Sequence, residues 1–240
     1  MSLFTISDLH LSTHETTNKS MEIFGKRWEN YTQRLEKNWR SVVTDKDTVV
    51  IPGDISWAID LDEALSDFKF LDNLPGKKIL GKGNHDFWWS TMSKHKQFFE
   101  KHDIRTISFL FNNAYETEEY IIAGTRGWYL EADAMKNVTP VDFEKIISRE
   151  CGRLRTSLTL AQALKQHAPQ KEILLFLHFP PFWNEKQTPK IYDLIKEFNI
   201  SNVYFGHIHG SYNLLTDYTY DGTTFHLISA DYMNFLPKIV

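Results

Sequence analysis

Five short stretches of this 240-residue chain set carboxylate, carboxamide and imidazole groups close together. They are Asp8-Leu-His10, Gly53-Asp54, Gly83-Asn84-His85-Asp86, the single His178, and Gly206-His207-Ile-His209. Each alone has an ordinary explanation. Asp8-x-His10 is a polar strand end, Asp54 after Gly53 caps a turn, and His178 reads as a satisfied buried histidine. Together they resist that explanation, because buried charges and imidazoles without partners are costly. Divalent cations are the natural partners. The set offers more ligands than one tetrahedral zinc takes, so two ions fit it better than one.

Each group follows an apolar run that reads as a β-strand. The strand candidates are Leu3–Ser7, Thr48–Ile51, Lys77–Leu80, Glu119–Gly124, Glu172–Leu177 and Asn202–Phe205. Stretches 104–107 and 108–114 suggest further antiparallel strands, and 213–216 with 223–229 around Asp221-Gly222 reads as a hairpin. Helices fall between them. One is expected over much of Met21–Val43. A second follows an Asp60/Glu63 capping box, with Ala64, Leu65, Phe68 and Leu71 at helical spacing. A third covers Phe143–His167, with an apolar stripe from Ile147 to Leu164, and a short one starts after Pro189. Alternating strands and helices indicate an α/β protein. In such sheets ligands bind beyond the carboxyl ends of the strands, where all five motifs fall.

Bulk composition narrows the classes. Apolar residues make up 42% and charged residues 24%, as in an ordinary globular protein. No repeat or linker interrupts the chain, so one domain over 1–240 is expected. The net charge of −4 and the absence of a basic run argue against a nucleic-acid partner. Cys151 is the sole cysteine, which excludes an intramolecular disulfide and a thiolate cluster. The first residues carry no basic, long-apolar leader, no segment is apolar enough to span a bilayer, and a cytoplasmic location without membrane contact is expected. No protein partner is evident.

In family order, these motifs resemble the pattern of the calcineurin-like metallophosphoesterases: D-x-H, G-D, G-N-H-D/E, a lone H, and G-H-x-H. The resemblance runs from residue 8 to residue 209. It implies a four-layer αββα sandwich of two mixed sheets flanked by helices, with the site at the sheet edges. It also implies a hydrolase of small phosphomonoesters or phosphodiesters that uses a metal-bridging hydroxide. By this resemblance Asp8, His10 and His209 would hold one metal, Asn84, His178 and His207 the other, and Asp54 would bridge them. His85 would face the phosphoryl group and protonate or stabilise the leaving oxygen, and Asp86 would stand behind, orienting an imidazole. Manganese is the favoured ion, with iron or zinc as alternatives.

Around the motifs, Arg126 in a Gly-bounded turn is a candidate phosphate clamp. Trp89 and Trp183 are candidate apolar walls for the leaving group, against the plainer reading of core packing. His226 and Asp231 are candidates to lie near the site. His14, His95, His102 and His167 read as solvated, and Arg149 and Arg153 as a solvated helix face. Two rival readings remain: a metal-dependent nuclease, and a non-catalytic interaction module. The run after Gly53-Asp54, Ile-Ser-Trp57, lacks the Asp-Arg segment of protein Ser/Thr phosphatases, which weighs against a phosphoprotein substrate.

Overall fold

A computed structural model describes residues 1–15, 19–130, 138–184, 186–210 and 217–240. Two large sheets lie face to face. The first is built from β1 (Leu3–Thr5), β2 (Thr48–Ile51), β3 (Lys77–Leu80), β4 (Ile107–Phe109) and β13 (Lys238–Ile239), in the order β13-β1-β2-β3-β4. The second contains β5 (Ala114–Glu116), β6 (Tyr120–Thr125), β7 (Glu172–Leu177), β10 (Asn202–Phe205), β11 (Asp217–Tyr220) and β12 (Thr223–Leu227). Its order is β11-β12-β10-β7-β6-β5. Both sheets are mixed. In the first only β13 runs antiparallel, and in the second β5 and β11 do.

The burial pattern explains the layering. Val50, Ile79, Ile122, Leu174, Phe176, Tyr204 and Ile228 form one cluster between the sheets. Neighbouring residues on the same strands point the other way. Val49, Ile51 and Leu80 pack beneath α1 (Tyr31–Val42), α2 (Leu65–Asp72) and α3 (Met92–His102). Ile121, Ala123, Leu175 and Val203 pack beneath α4 (Pro140–His167) and α5 (Pro189–Glu197). Alternation of side chains along a strand thus feeds two cores at once. The result is the expected αββα sandwich.

Several expectations need correction. The helix expected over Met21–Val43 is three pieces, because Gly25 (φ 108°) and Asn30 (φ 50°) leave helical space and split off two 3₁₀ turns before α1. Strand β4 pairs parallel to β3, not antiparallel, since α3 forms a crossover between them. The stretch 213–216, expected as half of a hairpin, lies outside the described residues; β12 pairs instead with Asp217–Tyr220. A two-strand ribbon of β8 (Phe182–Trp183) and β9 (Lys186–Gln187) was not expected. His95 is not solvated. It faces inward from α3 at 1% exposure, and its Nε2 accepts from the Ser90 N–H at 3.1 Å.

Candidate metal centre

The five motifs converge where the carboxyl ends of β1, β2, β3, β7 and β10 meet. The main chain stitches this edge together. Ser7 N–H donates to the Ile228 carbonyl at 2.8 Å, and Ser7 C=O accepts from Ala230 N–H at 2.8 Å. The turns after the strands are tight. Asp8 (φ 59°), His10 (47°), Asp54 (51°) and His207 (68°) all adopt left-handed backbone, which ordinary residues avoid and which gathers at functional sites. Two glycines allow the close approach. A Cβ on Gly83 would lie 2.0 Å from Asp54 Oδ1, and one on Gly206 would lie 2.1 Å from Asp8 Oδ2.

Among the described residues, two groups could hold an ion: Asp8, His10 and His209, and Asp8, Asp54 and His178. Asp54 Oδ2 lies 3.6 Å from Nε2 of both His10 and His178. His10 Nε2 faces His209 Nε2 at 3.2 Å. On the other flank Asn84 Oδ1 is 2.7 Å from His178 Nε2 and 3.0 Å from His207 Nδ1. All seven expected ligands are therefore brought together. Asp8 accepts the His207 N–H at 3.0 Å and the Ser229 hydroxyl at 3.2 Å.

The electrostatics suit a cation. Burial drives these imidazoles to the neutral form, lowering His10 to about 3 and His207 to about 4 and holding His178 well below its ordinary value. Neutral rings present lone pairs. Burial, then the charges of Asp8 and Asp86, push Asp54 well above the usual carboxylate range. A positive ion would relieve that excess of negative charge, so the donor set fits divalent metal. Burial alone would raise Asp8, but hydrogen bonding and charge from His209, with His178 and His10, bring it far below its ordinary value. His209 is opposed by burial yet rises to about 10, because Asp231 and Asp8 hold its cationic form. Asp231 Oδ1 meets His209 Nδ1 at 2.8 Å, and that contact would leave Nε2 for a metal once the ring is neutral.

Asp86 does not touch an imidazole. It is fully buried beneath the turn after β2 and accepts N–H groups of Gly83, Asp54, Ile55 and Ser56 and the indole of Trp88, at 2.7–3.3 Å. His85 stands at the rim, half-buried, with its backbone N–H on Asp54 Oδ1 at 2.8 Å. Its ring lies 5.6 Å from that of His10 and 4.3 Å from Trp57. Burial lowers its pKa, partly offset by Asp8.

The aromatic candidates separate. Trp183 packs against Phe205 and Tyr218 in the second core. Trp89 sits among Phe109, Phe111 and His95 and lines a cavity shared with Arg126. The ring stacked on His10 is Trp57, centroids 4.9 Å apart, while Trp28 flanks His209 at 5.6 Å. Trp57 lies only three residues past Asp54, a signal the sequence did carry; Trp28 gives none. His226 lies away from the cluster, bonded to Asn202 and Asp217.

This constellation, on this sandwich, is that of a phosphoesterase. The calcineurin-like phosphoesterase family model matches residues 1–211, and the chain belongs to that family. It is thus a metal-dependent phosphoric ester hydrolase. No curated protein sequence matches it significantly. Solved structures share the fold at low identity. Phosphopantetheinyl hydrolase (PptH) from Mycobacterium tuberculosis is 17% identical, with a TM-score of 0.55 over 100% of this chain and 95% of its own. The protein TT1561 of Thermus thermophilus is 10% identical, with a TM-score of 0.52 over 99% and 97%.

Proposed function

We propose that this enzyme hydrolyses small phosphomonoesters or phosphodiesters at a centre of two divalent ions. The observation that carries the reading is the position of Asp54. One carboxylate oxygen equidistant from His10 and His178 suits a ligand shared between a first ion, on Asp8, His10 and His209, and a second, on Asn84, His178 and His207. When bound, such a pair of ions acidifies water and neutralises charge on phosphoryl oxygens, with manganese the expected metal and iron or zinc the alternatives.

The protein's own groups supply the rest. His85, anchored through its N–H to Asp54, stands beside the cluster with its ring nitrogens free of hydrogen bonds among the described residues. An anionic ester next to it favours the imidazolium and so equips it to give a proton to the leaving oxygen. Trp57 excludes water from one side of His10 and His85. Arg126 carries His178 on its backbone, accepting the His178 N–H at 3.0 Å. The net charge of −4 and the lack of a basic track favour a small substrate over a polymer.

The test is hydrolysis of aryl phosphate and bis-aryl phosphate with added manganese, beside single- and double-stranded oligonucleotides and a chelated control. Turnover of the small esters, lost on chelation, is expected. Efficient oligonucleotide cleavage that collapses with salt would overturn the substrate class, and activity indifferent to chelator would overturn the metal centre.

A further inference from the structure

Beside the cluster lies a cavity of about 440 Å³ whose wall includes Lys82, Trp89, Phe111, Arg126, Glu150 and Arg153. It is joined to the centre through the backbone: Lys82 is two residues ahead of Asn84, and Arg126 C=O accepts from the N–H groups of His178 and Phe179. Its charge is unbalanced. Arg153, exposed on its helix face as the sequence suggested, pairs with Glu150 at 3.0 Å. Glu150 is otherwise occupied by the Thr125 hydroxyl and, at 3.1 Å, the Gly127 N–H. Among the described residues neither Lys82 nor Arg126 makes an ion pair at contact distance, although the charge of Glu150 reaches both, and the buried Arg126 Nε has no hydrogen-bond partner. Instead the two cations rest on rings, Arg126 3.9 Å from the centroid of Trp128 and Lys82 6.0 Å from that of Trp89.

Partly burying two cations side by side without an ion pair costs stability. Three cations against one carboxylate leave two positive charges in excess, the complement of a phosphate dianion. Arg126 offers planar N–H donors and Lys82 a point charge, a pairing suited to phosphate oxygens. We propose that the cavity binds a second phosphate carried by the substrate, so that the preferred substrate is an organic bisphosphate with one phosphoryl group at the metal cluster and the other between Lys82 and Arg126. The inference rests on the phosphoesterase reading of the centre, yet the cavity can be probed without metal.

Calorimetric titration of the chelated full chain with inorganic phosphate reads the cavity alone. Lys82→Gln should weaken binding about tenfold or more, the worth of one hydrogen bond between charged groups. Lys82→Arg should restore it, and Arg126→Gln should repeat the loss with an unchanged melting profile. Titration of the manganese-loaded chain with alkanediol bisphosphates of increasing length reads the tether. At one length the bisphosphate should bind at least tenfold more tightly than the matching alkyl phosphate, and Lys82→Gln should erase that advantage. Phosphate binding indifferent to Lys82 and Arg126 would overturn the site. Phosphate binding that depends on them, with no advantage for any bisphosphate, would overturn the substrate and leave a site for free phosphate. Failure to hydrolyse aryl phosphate would count against the phosphoesterase reading and not against the cavity.

Discussion

The two sheets bring different chemistry to the edge they share. The first ends in the carboxylates that face the cluster, Asp8 and Asp54, together with His10, Asn84 and His85. The second ends in imidazoles, His178, His207 and His209, and keeps its carboxylate, Asp231, behind His209. Both groups able to hold an ion draw on both sheets. Neither sheet alone is a metal site. The centre therefore exists only in the docked sandwich, and any ion it takes ties the layers together at one end.

Four experiments bear on this division of labour. The largest effect should follow Asp54→Asn, which spoils the oxygen set midway between His10 of the first sheet and His178 of the second. Bound metal, measured by elemental analysis, should fall below the roughly two ions per chain of a two-metal hydrolase, and turnover should vanish. An unaltered metal content would remove Asp54 from the bridging role. Next, His85→Ala should keep its metal while kcat falls on the order of 10²–10⁴-fold, with the smallest loss on esters of very acidic leaving groups. Loss of metal in that variant would make His85 a ligand.

Asp231→Asn removes the carboxylate that orients His209 from behind. Metal affinity should drop roughly 10–100-fold, as for partners that hold a ligand in place, without loss of fold. A binding titration that matches the parent protein would show that the ring needs no such support. The smallest effect is thermal. An ion present at a hundredfold its Kd stabilises by about 2.7 kcal/mol, or roughly 5–10 °C in a chain of this size. Chelation should lower Tm by about that much, and an unchanged Tm would mean that the sheets dock without help from the ions.

The residues of the cluster were legible because strand ends, glycines and polar groups recur together along the chain, and each of these signals is local. The strands β2, β3, β7 and β10 matched to the residue for the same reason: their apolar runs stop at turn residues. What the sequence hid depends on distance. The direction of β4 follows from a crossover, the burial of His95 from rings on other elements, and the charge of the Lys82 cavity from α4 folding over the loops after β3 and β6. Gly25 and Asn30 are the residues that break the first helix, and their types, which tolerate positive φ, were a local signal of that break.

Asp86 has one further consequence. Its carboxylate fills a socket of five inward-pointing N–H groups, four from the main chain and one from Trp88. Convergent N–H groups of this kind ordinarily grip a phosphate. Here the protein plugs the socket with its own anion, so a substrate cannot lodge there and the dipoles are unavailable to the reaction. The loop that presents Asp54 and Asn84 is thereby cast in its working shape before any ligand arrives. Under the proposed function, charge developing on a reacting phosphoryl group would be met from the open side of the cluster, by the ions and His85.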